Sequence, residues 1–343
     1  MKRILFTHDD LDGAGCAIVF QFQNIHILKL ESDDTRIVHC SNSNIDEKIQ
    51  SILDENEKQK IIDEKCEIIF ADIAPSETMC TKLAITFNLD QFAFYDHHLT
   101  NDHVVRILRN HPNKMYLYTK PINDKMESGT SIMYKKEIRS NVHDSILETK
   151  LTYMDQLVDS IRSWDTFEWK KTNNMQAKQI QILFSLLGME RFIEYHLNRL
   201  HGDIICPTAL GFVNASIERE ARNINSVKFD NLFHGDLDGH PTVFMFSRGG
   251  ANFSDLATTF LEKHPEIDLF VNIDFGYGTV GYRTTKDDLN TAKKFAQPNF
   301  GGGHPKASGN PISLDFMQEI LSKLMKEISP GEWGMDLSYP KIK

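Results

Sequence analysis

The sequence predicts an α/β protein of two domains, each built on a sheet with helices packed against it. Three observations lead to this fold class. Short apolar runs alternate with amphipathic stretches in the first half of the chain, which is typical of a parallel sheet. The same alternation returns after about residue 225. The chain has 343 residues, which is long enough for two domains of ordinary size.

In the first half, four apolar runs are predicted to be strands, at residues 3–7, 37–40, 66–71 and 91–95. The stretches between them are predicted to be helices, at 13–23, 45–63 and 76–87. Ser76 is the expected N-cap of the third helix, because Glu77 follows it in the first turn. Residues 129–200 are predicted to be mainly helical.

In the second half, strands are predicted at 242–246, 269–273 and 279–283, helices at 254–263 and 290–295, and a glycine loop at 301–305. We therefore expect a first domain at 1–185, a linker or helical connection at 186–225 and a second domain at 226–343. The tail at 330–343, rich in Gly, Pro and Lys, is predicted to be loosely ordered.

The composition excludes several classes of protein. A net charge of −10 argues against a protein that coats long nucleic acid, because such a protein needs many Lys and Arg residues. Small phosphorylated substrates are still compatible with this charge, because bound divalent metal ions can supply positive charge. The five scattered cysteines lack CxxC spacing and indicate free thiols in a reducing compartment. The first apolar run is too short for a signal peptide, and no run approaches the ~20 residues of a membrane helix. We expect a cytoplasmic protein.

The first polar cluster, H-D-D-L-D-G at residues 8–13, directly follows the predicted strand 3–7. Side chains 8, 10 and 12 would point to one face of a strand, and they could also converge in a tight loop. Carboxylates this close repel one another unless a cation offsets their charge. Oxygen ligands together with imidazole suit Mn²⁺ or Mg²⁺. The cluster is either a metal site or a solvated acidic turn.

Further polar residues follow two other predicted strands. Asp72 comes directly after strand 66–71, and Asp96, His97 and His98 come after strand 91–95. Because open α/β sheets bind ligands beyond the carboxyl ends of their strands, we expect these side chains to meet the first cluster. One of the adjacent histidines would then ligate a metal, and the other would face the substrate. The alternatives are a helix-capping role for Asp72 and a polar strand end for the tripeptide.

Three more candidates lie farther along the chain. Asp165, in RSWDTFEW, is either a carboxylate oriented by the flanking aromatic rings or a surface aspartate on a helix. The run of Gly301, Gly302 and Gly303 before His304 would let the backbone approach an anion closely, and a flexible linker is the alternative. Arg283, at the end of strand 279–283, would clamp a phosphate or remain solvated.

Taken in order, HxDxDG, Asp72, DHH, Asp165 and GGGH resemble the DHH phosphoesterase superfamily from residue 8 to about 310. The GGGH loop is similar to the signature of members with a C-terminal DHH-associated domain. The opening THDDLDGAGC is similar to NrnB-type oligoribonucleases and DHH-type nucleotide phosphodiesterases. The resemblance implies a parallel-sheet DHH catalytic domain, a smaller α/β DHH-associated domain that binds substrate, and an active site in the cleft between them.

The resemblance also implies roles for individual residues around two divalent metal ions, usually Mn²⁺, with Mg²⁺ as the alternative. The implied metal ligands, with Asp72 as the bridge, are His8, Asp10, Asp12, Asp72, His97 and Asp165. Asp96 would support the site and His98 would contact the scissile phosphate. The residues that would bind substrate are Arg283, Gly302, Gly303 and His304. His8 lies closer to Asp10 than in many members, and Asp155 and Asp159 are nearby alternatives to Asp165.

The implied function is degradation of short oligoribonucleotides to nucleoside 5′-monophosphates, by attack of a water that two metal ions activate. A second enzyme interpretation is a cyclic (di)nucleotide phosphodiesterase or a 3′-phosphatase for adenosine bisphosphate. A catalytically silent nucleotide sensor is the alternative from another class. We expect short single-stranded RNA or a small nucleotide as the partner, neither long duplex nucleic acid nor a membrane, and we leave a homodimer open.

Overall fold

The structure is a computed structural model, and it describes residues 2–63, 65–109, 114–141, 145–226, 232–247 and 253–313, with Gln318. The tail at 330–343, which the sequence predicts to be loosely ordered, lies outside these residues. The chain separates into two compact units, Met1–Ala215 and Ser216–Lys343. This boundary falls inside the segment 186–225 that is expected to connect the domains, and the roles expected for the domains stay predictions.

A parallel sheet of five strands forms the centre of the first unit. Its strands are β1 (Arg3–His8), β2 (Thr35–Cys40), β3 (Glu67–Ala71), β4 (Phe92–Asp96) and β5 (Lys114–Leu117). Their order is β2-β1-β3-β4-β5, and every neighbouring pair is parallel. The first four strands confirm the predicted ones. The pattern does not predict β5, because all four of its residues are half-buried and give neither an apolar run nor an alternation.

Helices cover the sheet of the first unit. They are α1 (Leu11–Phe22), α2 (Ile45–Ile52), α3 (Glu55–Asp63), α4 (Glu77–Thr86), α5 (Asp102–Leu108), α6 (Gly129–Tyr134), α7 (Glu148–Asp165), α8 (Glu168–Thr172), α9 (Met175–Leu187) and α10 (Met189–Leu197). A further helix, α11 (Pro207–Ser226), runs across the boundary between the units. Segments of π-helix at Gln23–Leu28 and Lys135–Arg139 extend α1 and α6. As predicted, Ser76 caps α4, and its side chain accepts from Met79 N.

The single helix predicted over 45–63 is wrong, because α2 ends at Ile52 and α3 begins at Glu55. Ile52 and Ile61 are both buried in the same core. In one continuous helix the separation of nine positions would place the two side chains on opposite faces, since each residue turns the helix by about 100°. The break therefore lets both helices bury their isoleucines.

Helix α1 is buried around most of its surface, since it packs on β1 and against α6, α7 and α10. Gly15 permits the approach of α6, because a Cβ there would lie 2.2 Å from Thr130 Oγ1. The close contact matters for the site described below, since it fixes the start of α6 against the start of α1. All five cysteines are free, as the sequence predicts.

The second unit contains a mixed sheet of six strands. They are β6 (Phe233–Leu237), β7 (His240–Ser247), β8 (Leu269–Asp274), β9 (Thr279–Arg283), β10 (Gly302–His304) and β11 (Ala307–Pro311), in the order β10-β11-β9-β8-β7-β6. Only the β7–β8 pair is parallel. Helix α12 (Phe253–Lys263) packs on one face of the sheet, where its Phe260 shares a core with Phe270 of β8. The neighbouring β8 residues Leu269 and Val271 point to the opposite face and enter a second core there.

Two expectations for the second unit need correction. The helix predicted over 290–295 is a single π-helical segment, Ala292–Ala296. The glycine loop is not a free loop, because Gly302–His304 forms strand β10 and pairs with β11 in a hairpin. Gly301 and Gly303 fit this hairpin, since a Cβ on them would lie 2.1 Å from Gly309 O and 2.7 Å from Ala307 O. Among the described residues, no helix is both long and apolar enough to span a membrane.

Candidate metal centre

The candidate metal centre lies at the carboxyl ends of β1, β3 and β4. His8 is the last residue of β1, Asp72 directly follows β3, and Asp96 ends β4 just before His97 and His98. Both β1 and β4 pair with β3, so the three strand ends are neighbours. The parallel sheet thus brings together motifs that are far apart in the sequence.

Asp72 is fixed from two sides. It has a left-handed backbone with a φ of 61°, and its N–H donates to Tyr95 O at 2.9 Å, which ties the chain after β3 to β4. On the other side, a Cβ on Gly129 would lie 2.6 Å from Asp72 Cβ. The side chain of Asp72 is only 3% exposed, so its carboxylate is enclosed within the centre.

The imidazole of His97 lies among carboxylates from different elements. Its Nε2 atom lies 3.5 Å from Asp72 Oδ1 and 3.3 Å from Oδ2 of Asp165, the last residue of α7. Ligand atoms of Asp12, His97 and Asp165 all lie within 4.8 Å of one another. The structure therefore brings four of the six expected metal ligands together, namely His97 and the three carboxylates around it.

The two nearby alternatives to Asp165 are engaged elsewhere. Asp155 accepts from the Tyr134 hydroxyl at 2.8 Å, and Asp159 accepts from Arg162 Nη2 at 2.9 Å. Asp165 is the carboxylate of this stretch that faces the centre.

The remaining two expected ligands, His8 and Asp10, contact each other. His8 Nδ1 lies 2.8 Å from Asp10 Oδ2, and both residues group with Asp72. Burial lowers the pKa of His8, but the hydrogen bond and charge of Asp10 outweigh it and the pKa is raised. The pKa of Asp10 is lowered, because His8 outweighs the effect of burial. Asp10 also caps α1 by accepting from Gly13 N at 3.0 Å.

The start of α6 orients Asp12. Ser128 Oγ donates to Asp12 Oδ1 at 2.7 Å, Gly129 N donates to Oδ2 at 2.7 Å, and Thr130 N donates to Oδ1 at 3.1 Å. The Thr130 hydroxyl also donates to the Asp12 carbonyl at 2.6 Å. Oδ1 accepts from two of these donors and Oδ2 from one, so Oδ2 keeps a lone pair for another partner. These donors therefore fix the direction of the Asp12 carboxylate without saturating it.

Asp96 orients His98. It is fully buried, and its Oδ1 accepts from His97 N at 2.6 Å, from His98 N at 3.0 Å and from His98 Nδ1 at 2.8 Å. Its Oδ2 accepts from Asn101 Nδ2 at 2.6 Å. Burial lowers the pKa of His98, but the hydrogen bond to Asp96 and its charge outweigh burial and raise it. His98 is half exposed, so this geometry directs Nε2 away from Asp96.

The electrostatics of the centre fit a divalent cation. Asp72 Oδ1, His97 Nε2 and Asp165 Oδ2 are buried without a hydrogen-bond partner within the described ranges. Burial raises the pKa of Asp72 and of Asp165 well above the usual range, and the charges of Asp12 and Asp10 raise both further. Burial lowers the pKa of His97, so its imidazole is neutral at pH 7. Crowded carboxylates beside a neutral imidazole are a donor set for Mn²⁺ or Mg²⁺.

The four expected substrate-binding residues lie in the second unit. Ala307 in β11 pairs with Arg283 on one side and with His304 on the other, so these two residues flank the same position of the sheet. Arg283 Nε donates to Ser254 Oγ at 3.2 Å, and its guanidinium lies over the Phe253 ring at 5.4 Å. His304 is exposed. Gly302 and Gly303 precede it in β10.

Sequence reasoning missed the residues that orient the ligands. Ser128, Gly129 and Thr130 hold Asp12, and Asn101 holds Asp96. A signal for the first group is present, because Ser128 and Ser131 have the spacing of a capping box at the start of a helical stretch. That pattern indicates a helix start, but nothing in it indicates a carboxylate from another element.

Comparison with known proteins places these features in context. No family model matches the sequence. The chain is 24% identical over 329 residues to oligoribonuclease NrnB of Bacillus subtilis (strain 168), which covers 94% of this chain and 76% of that protein. The structure of this chain is similar to the DHH domain of a member of the s1p family of ribosomal proteins, with a TM-score of 0.58 and 15% identity. The match covers 95% of this chain and 86% of that one. The structure is also similar to exonuclease RecJ bound to manganese, with a TM-score of 0.54 and 11% identity over 96% and 93% of the two chains.

Proposed function

We propose that the chain is a member of the DHH phosphoesterase superfamily and a metal-dependent phosphodiesterase that degrades short oligoribonucleotides to nucleoside 5′-monophosphates. It is similar in sequence to oligoribonuclease NrnB and in fold to a DHH domain. The proposal rests on one observation above all: carboxylates from three parts of the first unit meet two histidines at one edge of the sheet, with buried acceptor atoms left unpaired. The similarity to an oligoribonuclease over 94% of the chain supports RNA as the substrate.

The donor set fits two divalent metal ions, for which we propose Mn²⁺ before Mg²⁺. His8 and Asp10 would bind on one side of Asp72, and the group of Asp12, His97 and Asp165 would bind on the other, with Asp72 between them. When bound, such ions would supply Lewis-acid stabilisation of phosphoryl charge and a water of lowered pKa. The single-residue assignments are proposals from this geometry.

His98 is the residue of the centre best placed to meet the substrate phosphate. Asp96 holds its Nδ1 and favours the protonated ring, so Nε2 would donate to a non-bridging phosphoryl oxygen. This contact would strengthen as charge develops on that oxygen during the reaction. Hydrolysis forms a bond from phosphorus to the water oxygen and breaks the bond to the 3′ oxygen of the leaving ribose, which then takes up a proton.

We propose that the second unit binds the rest of the substrate through Arg283, Gly302, Gly303 and His304. The register of the sheet supports this division, because Arg283 and His304 flank Ala307 and would address one phosphate group together. Arg283 donates from Nε to Ser254 Oγ and from Nη1 to the Tyr282 carbonyl, so Nη2 would be the atom that donates to a phosphate. The 1–185 and 226–343 domain roles, a cytoplasmic location and a homodimer stay predictions.

Two other functions compete with this proposal. A phosphodiesterase for cyclic dinucleotides, or a 3′-phosphatase for adenosine bisphosphate, would use the same centre on a shorter substrate. A catalytically silent sensor is disfavoured, because the carboxylates at 12, 72 and 165 are all present and grouped around His97.

Turnover of a defined substrate series distinguishes these functions. The purified chain would be assayed with Mn²⁺ on RNAs of two to seven nucleotides, on cyclic dinucleotides, on adenosine 3′,5′-bisphosphate and on bis-nitrophenyl phosphate. We expect the RNAs to give 5′-monophosphates with the highest kcat/KM. A higher kcat/KM for a cyclic dinucleotide or for the bisphosphate would select the second enzyme function. Absence of turnover on every substrate with metal bound would select the sensor.

A further inference from the structure

Phe167 is an exposed aromatic residue in a backbone conformation that favours glycine. It follows α7 with a φ of 58°, and its side chain is 57% exposed. Its N–H donates to Trp164 O at 3.1 Å, and the N–H of Thr166 donates to Arg162 O at 3.0 Å, so the end of the helix fixes this conformation. Glycine is the residue usually found in the left-handed position after a helix, because it has no Cβ.

The position of Phe167 connects it to the metal centre. It lies two residues after Asp165, whose Oδ2 is 3.3 Å from His97 Nε2. The left-handed backbone opposes folding and is therefore not explained by stability, and the exposed ring contributes no burial that would offset its cost. Strain of this kind persists mainly where it serves a site. An exposed ring two residues along the chain from a proposed metal ligand is therefore a candidate contact for substrate.

Further aromatic and basic residues lie on the helices that flank Phe167 in the chain. Trp164 and Trp169 stack with their ring centroids 5.0 Å apart. Lys170 Nζ and Lys178 Nζ lie 5.5 Å and 5.9 Å from the Trp169 ring. These residues come from α7, α8 and α9, which pack against one another. We call the five residues the aromatic–lysine surface; they are Trp164, Phe167, Trp169, Lys170 and Lys178.

This surface has the chemistry that binds single-stranded nucleic acid. Stacking on an aromatic ring tolerates every base, and nearby lysines attract the backbone phosphates. Trp169 is only 9% exposed, so it serves as support beneath the lysines, and Phe167 is the ring available for stacking. Two lysines over one ring also stand out in a chain of net charge −10.

We propose that the aromatic–lysine surface binds the strand of single-stranded RNA that extends beyond the scissile phosphate, and that a base of this strand stacks on Phe167. This inference rests on the proposed function and deepens it, because it predicts a preference for RNAs longer than two nucleotides. A cyclic dinucleotide has no strand that could reach beyond the centre.

The substitution Phe167→Gly separates binding from folding. We expect this substitution to raise the thermal midpoint of unfolding, because glycine adopts the left-handed backbone without strain. We also expect it to lower kcat/KM for a tetraribonucleotide roughly five- to a hundredfold, which is the range that loss of one stacked base produces. Hydrolysis of bis-nitrophenyl phosphate should fall by a smaller factor than hydrolysis of the tetraribonucleotide. The matched control is Phe212→Ala, which removes another exposed phenylalanine, 69% exposed in α11.

Binding without turnover provides an independent readout. In excess chelator, fluorescence anisotropy of a labelled hexaribonucleotide should show weaker binding to Phe167→Gly than to Phe212→Ala. Lys178→Gln should flatten the salt dependence of that binding. Equal kcat/KM for the tetraribonucleotide and equal anisotropy in the two phenylalanine variants would overturn the inference. If the wild-type chain cleaves no RNA, the proposed function fails instead, and the anisotropy comparison alone decides the role of the surface.

Discussion

Oδ2 of Asp165, at the end of α7, lies 3.3 Å from Nε2 of His97, beyond β4, and across the described residues neither atom has a hydrogen-bond partner. Burial raises the pKa of Asp165 well above its usual range, and the charges of Asp12 and Asp10 add to the effect. Without a cation, the ionised carboxylate of Asp165 therefore opposes folding. This relationship leads to the first prediction.

Asp165→Asn should stabilise the metal-free protein by about 1–3 kcal/mol, because it removes a buried charge that repels its neighbours. It should also abolish the stabilisation that Mn²⁺ gives the wild-type chain. Urea unfolding in chelator and in Mn²⁺ measures both effects. The matched control is Asp9→Asn, since the Asp9 side chain is 55% exposed in the same polar cluster. A destabilised Asp165→Asn variant that still responds to Mn²⁺ would contradict the prediction.

The sequence predicts the sheet of the first unit well because its strands are buried and apolar. Strand β3 has every residue buried, and β1 has every residue buried except His8. The half-buried β5 and the partly exposed β6 lack such a pattern. The glycine run at 301–303 is predicted to be a loop but enters strand β10, for another reason. Its glycines permit both a loop and close strand pairing, and the choice depends on the partner strand β11, which lies later in the chain.

Metal dependence is the second prediction. Activity on a trinucleotide should be lost in chelator and return with Mn²⁺ more fully than with Zn²⁺ or Ca²⁺, because the donor set combines carboxylate oxygens with imidazole. Asp72→Asn should lower kcat by about 100-fold or more, since it removes the carboxylate shared by both proposed sites. Asp9→Asn should change kcat little. Full activity in chelator, with metal content measured, would refute the prediction.

The third prediction concerns the start of α6. Ser128→Ala removes a donor to Asp12 Oδ1. The loss should reduce the stabilisation of the transition state by about 1.5–3 kcal/mol and appear as a lower affinity for Mn²⁺ and a lower kcat. Ser128→Thr keeps the hydroxyl and should restore much of the loss. Gly129→Ala should be more damaging, because its Cβ would displace Asp72. Calorimetric titration with Mn²⁺ tests all three variants. Equal affinities in Ser128→Ala and the wild-type chain would show that Asp12 needs no such support.

The sequence could predict which side chains meet, but it could not predict what orients them. Asp72, His97 and the residues of the first cluster follow strands of one parallel sheet, so their convergence follows from the fold class. Asp165 comes from a helix end, and only the resemblance to a known family selects it over Asp155 and Asp159. The contact of Ser128 with Asp12 depends on the packing of α6 on α1 at Gly15, which no local pattern encodes.

The fourth prediction separates the roles of the two units. His304→Ala should lower kcat/KM for a trinucleotide roughly ten- to a hundredfold, the effect of losing one charge-assisted contact to phosphate. It should leave metal content and hydrolysis of bis-nitrophenyl phosphate unchanged. His97→Ala should damage both reactions and lose metal, because His97 lies within the group of carboxylates. Loss of metal in His304→Ala would assign His304 to the metal centre.

The fifth prediction concerns the pH dependence of stability and rests on His196, a fully buried residue of α10. Its Nδ1 lies within hydrogen-bond distance, 2.7 Å, of the Tyr153 hydroxyl, and burial, with the charge of Arg199, lowers its pKa to about 3. Below the ordinary pKa of 6.5, the unfolded chain binds a proton at this residue that the folded chain does not bind. Stability is therefore lost as the pH falls from about 6.5 towards 3.

Between pH 7.5 and pH 5, this one group should remove about 2 kcal/mol from the free energy of unfolding. His196→Gln keeps an acceptor for the Tyr153 hydroxyl but cannot titrate, so the variant should lose that part of the pH dependence even if it is less stable throughout. Urea unfolding at both pH values gives the two slopes, and His201→Gln, at an exposed position, is the matched control. Since other histidines titrate in the same range, only the difference between the wild-type chain and each variant is informative. Equal pH dependence in His196→Gln and His201→Gln would show that His196 is protonated in the folded chain and that its burial does not exclude the charge.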